Sequence, residues 1–284
     1  MFLIDFWQIF VTKISLDDFF KSKGAILKKK AIKIKNERFS FFADPFILRV
    51  KDKLNLLVED FSFLSGAKIS ILEINKKKVY KTKILQNKHF SYPHSYYYNN
   101  KNYFFPEMSE ESRNSFFQIK NKKKIKIKNY LLGYKVIDPT ITKINGLYWL
   151  FCSLRDSEHS ENKNLYLFYN KNLFDEWTAH KNNPVLKNDN KARPGGNIIK
   201  YKNNLFRPSQ LNLKNKYGSE LIINKILKIS KNRYKEKKIF SIKPDKSYQG
   251  IHHLSYLNNY MAFDQKKIVY SIFKPLYYLL KSFK

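Results

Sequence analysis

Three carboxyl groups stand in matched surroundings along the chain. Asp44 and Asp138 each directly precede a proline, and Glu107 follows Pro106 at the end of a short apolar run. Because separate repeats can place polar side chains around one ligand, we predict that Asp44 and Asp138 belong to a binding site. Glu107 would lie either behind that site or on the opposite face. The alternative is that an aspartate before proline only begins a turn.

Two arginines, Arg193 and Arg207, also precede prolines. Their guanidinium forks suit carboxylate, phosphate or sugar hydroxyl groups, so we predict that both bind substrate. The alternative is a salt bridge to one of the carboxyl groups named above. Further predicted substrate-binding residues occupy comparable places: Gln210, Tyr92, His252 and His253.

The two adjacent histidines should differ in role, because neighbouring strand residues point to opposite faces. One of them would face a ligand and the other would enter the core. The chain has no His-rich spacing, no pair of cysteines and no glycine-rich phosphate loop. We therefore predict neither a metal site nor a cofactor.

A repeated unit positions these residues. It consists of a polar residue before proline, a short apolar run, a polar turn and a second apolar run, as in Asp44–Val58. Second runs end in further polar residues, among them Glu59 and Asp264, which lie either behind the site or on the opposite face. The five copies start at these residues: Asp44, Tyr92, Asp138, Arg193 and Gly250.

The copies start 46 to 57 residues apart, although the fifth has lost its proline. Each is typical of a β-hairpin, and the spacing is typical of one four-stranded propeller blade. We predict an all-β fold, a five-bladed β-propeller over residues 1–265. Five residues would face one another around its channel: Asp44, Tyr92, Asp138, Arg193 and His252 or His253. A strand at Phe6–Thr12 would complete the last blade and remove its free edge. We also predict an exposed strand at Lys28–Lys35 and a rim loop at Asp156–Lys163.

Residues 266–284 change character and predict a short basic C-terminal helix or tail. Apolar residues there fall near helical spacing with lysines between them, and Pro275 interrupts the pattern. One interpretation is a tail packed against the propeller. The other is a basic amphipathic segment that makes peripheral contact with an anionic membrane.

The formal charge is +32, from 55 Lys and Arg against 23 Asp and Glu. Such a charge suits nucleic acid, anionic lipid or an acidic ligand. The lysines, however, are spread over nearly every turn beside abundant asparagine, as drift toward Lys and Asn codons would produce, and we predict no nucleic-acid partner.

The single Cys152 cannot form an intrachain disulfide, which permits a reducing compartment. Met1–Phe10 lacks the basic region of a signal peptide, and no apolar run approaches the length of a membrane span. The predicted location is therefore cytoplasmic, with a peripheral place at the inner membrane face as the variant.

The candidate residues belong to an ordered set of short motifs. The motifs are Phe42-Ala43-Asp44-Pro45-Phe46, Ser91-Tyr92-Pro93, Pro106-Glu107, Asp138-Pro139-Thr140, Ala192-Arg193-Pro194-Gly195-Gly196, Arg207-Pro208-Ser209-Gln210, Tyr217-Gly218 and Gly250-Ile251-His252-His253. From about residue 5 to residue 265 the chain resembles the N-terminal domain of plant glucosamine inositolphosphorylceramide transferases and their bacterial relatives. The resemblance implies a five-bladed propeller similar to family 43 and family 32 glycoside hydrolases. It also implies a glycosyltransferase or formyltransferase as a partner.

The hydrolase comparison can be followed residue by residue. Those enzymes are similar in placing an Asp at the start of blade one, an Asp at the start of blade three and a general-acid Glu at the start of blade four. Asp44 and Asp138 match the first two positions, but Arg193 stands at the third. Because arginine cannot donate a proton at neutral pH, the usual hydrolysis would need Glu107 or Glu59 as a displaced acid. The comparison therefore implies Asp44, Asp138 and Glu107 as catalytic candidates, with Asp44 as the base.

The leading functional hypothesis is a carbohydrate-recognising or carbohydrate-modifying propeller of cell-surface polysaccharide or glycoconjugate biosynthesis. It would assist or perform sugar transfer and bind an anionic or nucleotide-linked sugar or a glycan. The first alternative is a family 43-related glycosidase in which Glu107 is the displaced acid. The second is a non-catalytic scaffold for a glycosyltransferase or formyltransferase.

Overall fold

The computed structural model shows five four-stranded antiparallel sheets arranged as the blades of a propeller. This confirms the predicted all-β, five-bladed architecture. Among the described residues, no helix has the length and apolarity to cross a membrane. The structure describes residues 2–49, 53–75, 78–86, 88–108, 110, 113–155, 160–213 and 216–271.

The chain begins with a long strand that belongs to the last blade. Strand β1 (Phe2–Lys13) leads into helices α1 (Leu16–Lys21) and α2 (Leu27–Lys30) and the short strand β2 (Ile32–Lys33). Helix α1 is capped by Ser15, whose hydroxyl accepts the amide of Asp18. The expected strand at Lys28–Lys35 therefore holds only for β2.

The other blades follow in chain order, each running from the central channel outward. Blade one contains β3 (Ser40–Leu48), β4 (Leu54–Ser62), β5 (Gly66–Asn75) and β6 (Lys78–Leu85). Blade two contains β7 (Ser91–Tyr98), β8 (Lys101–Glu107), β9 (Asn114–Lys120) and β10 (Lys123–Tyr130). Blade three contains β11 (Val136–Ile144), β12 (Leu147–Leu154), β13 (Tyr166–Asn170) and β14 (Thr178–Ala179). Blade four contains β15 (Ile199–Tyr201), β16 (Asn204–Leu213), β17 (Lys216–Ser230) and β18 (Arg233–Ile242).

The last blade closes the ring. Its strands β19 (Leu254–Leu257) and β20 (Tyr260–Ser271) are joined by β1 and β2 in the order β19-β20-β1-β2. Strand β1 pairs with β20 along its whole length, from Phe2 opposite Ser271 to Lys13 opposite Tyr260. The N-terminal strand thus completes the last blade, as the sequence predicts. Residues 266–271 continue β20, and the predicted helix or tail over 272–284 lies outside the described residues.

In the first three blades, the X-Pro dipeptide is a bulge in the innermost strand. The ladder skips Asp44-Pro45, Tyr92-Pro93 and Asp138-Pro139, and the residue before proline has a φ of 48°, 42° and 49° respectively. Proline fits a bulge because it has no N–H to donate to the ladder. The left-handed residue before it is strained, so its surroundings must hold it in place.

Apolar side chains fill each seam between blades. Phe46 and Leu57 of blade one, for example, pack with Phe104 and Phe117 of blade two, and all four are buried. Full burial of each such side chain contributes about 1.5–3 kcal/mol. Each of the five large clusters lies between two neighbouring blades, so the described blades pack on one another around the ring.

Candidate functional site

A relay of carboxylates joins the blades where the inner strands begin. The amide of Asp44 donates to Asp264 Oδ2 at 3.1 Å, and the amide of Tyr92 donates to Asp44 Oδ2 at 3.2 Å. The amide of Asp138 donates in the same way to Glu107 Oε2 at 3.2 Å. Each carboxylate therefore satisfies the backbone N–H of the next blade's left-handed residue, which the bulge removes from the ladder.

The blade-three side of the site is a compact ionic network. Arg193 Nε donates to Asp138 Oδ2 at 2.6 Å, and Arg193 Nη2 lies 3.9 Å from Glu107 Oε2. Gln210 Nε2 donates to the same Asp138 oxygen at 2.7 Å. Burial raises the pKa of Asp138 to about 6, although the Arg193 charge opposes that rise and Glu107 adds to it. The positive charge of Arg193 is thus already neutralised inside the protein.

The opposite side of the site contains a histidine between two aspartates. His252 Nδ1 lies 2.7 Å from Asp264 Oδ1, His252 Nε2 lies 3.5 Å from Asp44 Oδ1, and the ring stacks on Trp7 at 3.7 Å. Burial lowers the pKa of His252, but Asp264 and Asp44 outweigh burial, so the net shift is upward. The His252 ring therefore lies between the two carboxyl groups, and both favour its protonated form.

Asp44 and Glu59 form a carboxyl pair at the opening of the site. Glu59 comes from β4, opposite Ala43 in the ladder, and it is half-buried. Burial raises the pKa of Asp44 to about 7, with His252 lowering it and Asp264 raising it. Burial and then the Asp44 charge hold the pKa of Glu59 well above its usual value, and the two carboxyl groups are hydrogen-bonded. The two carboxyl groups therefore retain protons to a higher pH than isolated carboxyl groups do.

We call this group of five acidic side chains the carboxyl pit. Its members are Asp44, Glu59, Glu107, Asp138 and Asp264. Only Arg193 and His252 oppose these charges within the contacts described above. Arg193 keeps 12% of its side chain exposed, and Tyr217 beside it is half-buried. The pit is therefore acidic overall and reaches solvent at Glu59, Arg193 and Tyr217.

Tyr217 also lines a cleft of about 970 Å³. Its ring has the Arg193 guanidinium 5.1 Å and Lys266 Nζ 5.6 Å from its centre, so it contacts side chains of both the pit and the cleft. Lys266 Nζ is held by Asp5 at 3.0 Å and by the Tyr217 carbonyl at 2.6 Å. The cleft is lined mainly by amide and lysine side chains: Asn162, Lys163, Asn190, Asn212, Lys216, Gln249 and Lys266.

Arg207 lies away from the pit. It is 1% exposed, its guanidinium makes a two-point ion pair with Glu236, and its other donors reach the carbonyls of Ala192 and Lys191. Every contact lies within blade four or the segment leading into it. This geometry does not support the substrate contact expected for Arg207 and gives it a structural role instead.

Tyr92 and His253 lie in the channel interior. The Tyr92 hydroxyl shares a hydrogen bond of 2.8 Å with Thr140 and accepts the Gly196 amide at 2.8 Å, so it links three blades. His253 is fully buried against Phe46 and Tyr92, and burial lowers its pKa to about 3. The two predicted histidines therefore differ, because the pKa of His252 is raised and that of His253 is lowered. Neither buried side chain reaches the mouth of the pit.

The structure thus brings together most of the predicted residues: Asp44, Asp138, Glu107, Arg193, Gln210 and His252. Sequence reasoning assigned no role to Asp264, although it ends a second strand as Glu107 does. The role of Trp7 could not be predicted from the sequence, because only the pairing of β1 with β20 brings its ring to His252. Glu59 was named only as a substitute acid.

Asp44, His252 and Asp264 offer ligand atoms within 4.8 Å of one another, a spacing that a metal ion could use. The His252 ring between two carboxyl groups accounts for the same geometry. The absence of a metal and of a cofactor stays a prediction.

Comparison with known proteins places residues 24–264 within the family model described as "Glucosamine inositolphosphorylceramide transferase 1, N-terminal". A rice relative with the name glucosamine inositolphosphorylceramide transferase 1 (Oryza sativa subsp. japonica) is 31% identical over 153 residues, which is 52% of this chain and 20% of the relative. The Arabidopsis thaliana protein of that name is 28% identical over 234 residues, 75% of this chain and 30% of that protein. The chain therefore spans less than a third of the curated relatives it matches.

Solved structures show the same architecture at low identity. A family 43 β-1,3-galactosidase aligns with a TM-score of 0.59 and 12% identity, over 75% of this chain and 52% of that one. The catalytic domain of a family 62 α-L-arabinofuranosidase from Coprinopsis cinerea aligns with a TM-score of 0.61 and 9% identity, over 84% and 95%. The resemblance expected from the motifs is confirmed, and for these structures the likeness concerns the fold.

Proposed function

Because the chain belongs to the glucosamine inositolphosphorylceramide transferase 1 N-terminal family, we propose that its propeller recognises a carbohydrate in glycoconjugate or cell-surface polysaccharide biosynthesis. The names of its relatives point to glucosamine and to transfer. The recognition step assists sugar transfer, and a glycosyltransferase or formyltransferase partner supplies the chemistry. A cytoplasmic location, with peripheral membrane contact, belongs to the same proposal.

The ligand group that suits the carboxyl pit is a sugar ammonium. The observation that carries this proposal is the acidic excess of the pit, with the half-buried Glu59 at its mouth. An ammonium group beside Asp44 and Glu59 would favour the ionised form of both and so release the protons that they retain. Opposite charges about 4 Å apart attract by about 4 kcal/mol at the effective dielectric constant of a protein surface, so the gain is substantial.

An anionic or nucleotide-linked sugar fits the same site less well. It would have to take Arg193 from Asp138, which is bound at 2.6 Å, and it would bring negative charge next to Glu107. Arg207, the other expected anion-binding residue, is buried and paired with Glu236. The charges therefore favour a cationic sugar over the anionic one that the sequence suggested.

The cleft at Tyr217 would hold the rest of the glycan. Its asparagine and glutamine side chains both donate and accept hydrogen bonds, as sugar hydroxyls require. Asn162 connects the two spaces, because it lines the cleft and accepts a hydrogen bond of 3.2 Å from Arg193 Nη1. A glycan extending from the pit would thus meet polar groups along its length.

Calorimetric titration with simple glycosides tests the proposal. Methyl β-D-glucosaminide should bind at least about tenfold more tightly than its N-acetyl derivative or methyl glucoside, a difference of about 1.4 kcal/mol. Titrations in two buffers of different ionisation heat should show proton release on binding. Equal affinities for the three glycosides would refute the cationic ligand.

Matched variants sharpen this test. Asp44→Asn and Glu59→Gln should remove the preference for the amine, because each deletes one carboxyl group of the Asp44–Glu59 pair. Glu73→Gln is the control, since Glu73 pairs with Lys53 and Lys122 on the outer strands. A loss of preference in the control as well would point to overall charge instead of the pit.

A second candidate function is glycoside cleavage with a displaced acid. The observation in its favour is that Glu59 reaches solvent beside Asp44, and that burial and the Asp44 charge hold its pKa well above the usual value. Glu107, the acid expected from sequence, is instead occupied by the Asp138 amide and lies beside Arg193. Release of phenol from aryl glycosides should then be abolished by Glu59→Gln. If the wild-type protein releases no phenol, glycoside cleavage is refuted and carbohydrate recognition is the remaining proposal.

A further inference from the structure

Blade one ends in an aromatic projection, which we call the blade-one tip and define as residues 38–41 and 61–65. The Phe41 ring lies 4.7 Å from that of Phe61 and 5.6 Å from that of Phe6 on β1, and Phe61 lies 5.3 Å from Phe63. The amide of Phe63 donates to the Phe39 carbonyl at 3.2 Å, which joins the two segments.

Two large apolar side chains of the tip face solvent. Phe39 is 41% exposed, and Leu64, in the turn between β4 and β5, is 58% exposed. They stand on a base of buried or half-buried phenylalanines instead of being scattered singly. A contiguous apolar surface of this kind commonly marks a contact site.

The tip stands beside the mouth of the carboxyl pit. In the β3–β4 ladder, Ala43 pairs with Glu59, and Phe41 pairs with Phe61 two rungs further out. At about 3.3 Å per residue, the tip begins roughly 7 Å beyond Glu59. Phe41 and Phe63 also pack in one cluster with Trp7, which stacks on His252. Whatever covers the tip therefore also approaches the pit.

The charges around the tip are mainly basic, because the acidic residues that flank it, Glu37 and Asp60, are both paired with Lys81. The Arg38 guanidinium lies 4.7 Å from the centre of the Phe39 ring, and Lys68 Nζ donates to Ser65 Oγ at 2.6 Å. Residues 38–41 and 61–65 contain no acidic side chain. An apolar wedge flanked by cations is the pattern that suits an anionic membrane surface, where each basic residue adds about 1 kcal/mol of attraction.

We propose that the blade-one tip inserts into the surface of an anionic lipid bilayer. Phe39 and Leu64 enter the boundary between headgroups and acyl chains, and Arg38 and Lys68 meet lipid phosphates. This orientation brings Glu59 and the mouth of the pit to the headgroup layer, so that the sugar presented to the pit is lipid-linked. The membrane contact itself does not depend on the proposed sugar specificity.

This contact differs from the one expected for the C-terminal tail. The described chain ends at Ser271, which pairs with Phe2 on β1. Phe6, four residues further along β1, packs on Phe41 of the tip. Strand β1 therefore connects the last described residues of β20 with the tip, whereas the tail expected over 272–284 lies outside the described residues.

Co-sedimentation with vesicles tests the proposal in the full-length chain. Binding should occur to phosphatidylcholine vesicles that contain phosphatidylglycerol, fall with added salt, and be weak with phosphatidylcholine alone. Leu64→Glu should weaken binding about tenfold or more, because it removes a buried apolar contact and adds a repelled charge. Leu132→Glu is the matched control, since Leu132 is 63% exposed in the connection between blades two and three.

Each other outcome overturns the proposal. Wild-type binding that is unchanged in Leu64→Glu shows that the tip is not inserted, and loss of binding only on deletion of residues 272–284 assigns the contact to the tail. Self-association on a sizing column that Leu64→Glu abolishes, without vesicle binding, makes the tip an interface between copies. Titration of methyl β-D-glucosaminide into Leu64→Glu keeps the two proposals separate, because that variant should bind the soluble sugar normally.

Discussion

Replacing Asp44 by asparagine should make the protein more stable at mildly alkaline pH. Asp44 is 5% exposed, and burial raises its pKa to about 7. Between its unfolded pKa near 4 and its folded pKa, the native state holds a proton that the unfolded state has released. The free energy of unfolding therefore falls as the pH rises through this window. Asparagine keeps the side-chain oxygen that accepts the Tyr92 amide but has no charge to bury.

The size of the expected stabilisation follows from the difference between the folded and unfolded pKa of Asp44. A change of about three pKa units corresponds to about 4 kcal/mol, at 1.36 kcal/mol for each unit. Part of that cost belongs to Glu59, whose pKa the Asp44 charge raises and which would relax when Asp44 is neutral. We therefore expect Asp44→Asn to gain about 2–4 kcal/mol over the wild type at pH 8 and little or nothing near pH 4.

Urea denaturation from about pH 4 to about pH 8 measures this difference directly, since two-state unfolding yields a free energy at each pH. Glu73→Gln is the control. Lys122 and Lys53 lower the pKa of Glu73 to about 2, so its contribution to stability is lost only below about pH 4, and its difference from wild type should stay nearly constant over the measured range. A difference between Asp44→Asn and wild type that does not vary with pH, or a variant less stable at pH 8, would refute the buried-carboxyl reasoning.

Three further predictions use the same denaturation assay. Arg193→Met should cost about 3–5 kcal/mol, because it leaves Asp138 buried without its partner, and the added substitution Asp138→Asn should recover most of that loss. Gly196→Ala should prevent stable folding, since its φ is 129° and a Cβ would lie 1.8 Å from the Leu254 carbonyl oxygen; insoluble or unfolded protein is the expected readout. Truncation after Gln265 should lower the melting temperature, because it removes the strand segment that pairs with the first residues of β1; an unchanged melt would place blade closure elsewhere.

The fold could be predicted from the sequence because short local patterns of residues define each repeat. A proline that cannot join a ladder marks the bulge of an inner strand, and a polar turn marks the hairpin that follows. The residue just before the proline, as at Asp44 and Asp138, is then forced into a left-handed conformation beside the channel. For these two aspartates, the sequence pattern therefore predicts both the residue type and its position beside the channel.

Other parts of the site depend on contacts that no local pattern encodes. Arg207 precedes Pro208, as Asp44 and Asp138 precede their prolines. Its side chain nevertheless pairs with Glu236 on β18, and only the structure shows that this pair lies away from the pit. The net charge of the chain likewise does not predict the charge of the channel. The chain is strongly basic, but the lysines lie mostly on outer strands and turns, whereas the channel gathers acidic residues from several blades. Ligand charge could not be predicted from composition.

Most carboxylates of the pit have a structural reason to be there. Asp264, Asp44 and Glu107 each accept a backbone N–H of the next blade, and Asp138 holds Arg193. These roles would be needed in a propeller that bound nothing. Glu59 is different, because its described contact is with another carboxyl group and it reaches solvent.

A neutral residue at position 59 would serve the fold better, since two adjacent carboxyl groups raise each other's pKa and lower stability at neutral pH. A bound cation is the condition in which that cost becomes a gain, because both groups can then ionise. The strongest physical argument for a ligand in the pit is therefore the one carboxyl group that the propeller does not require.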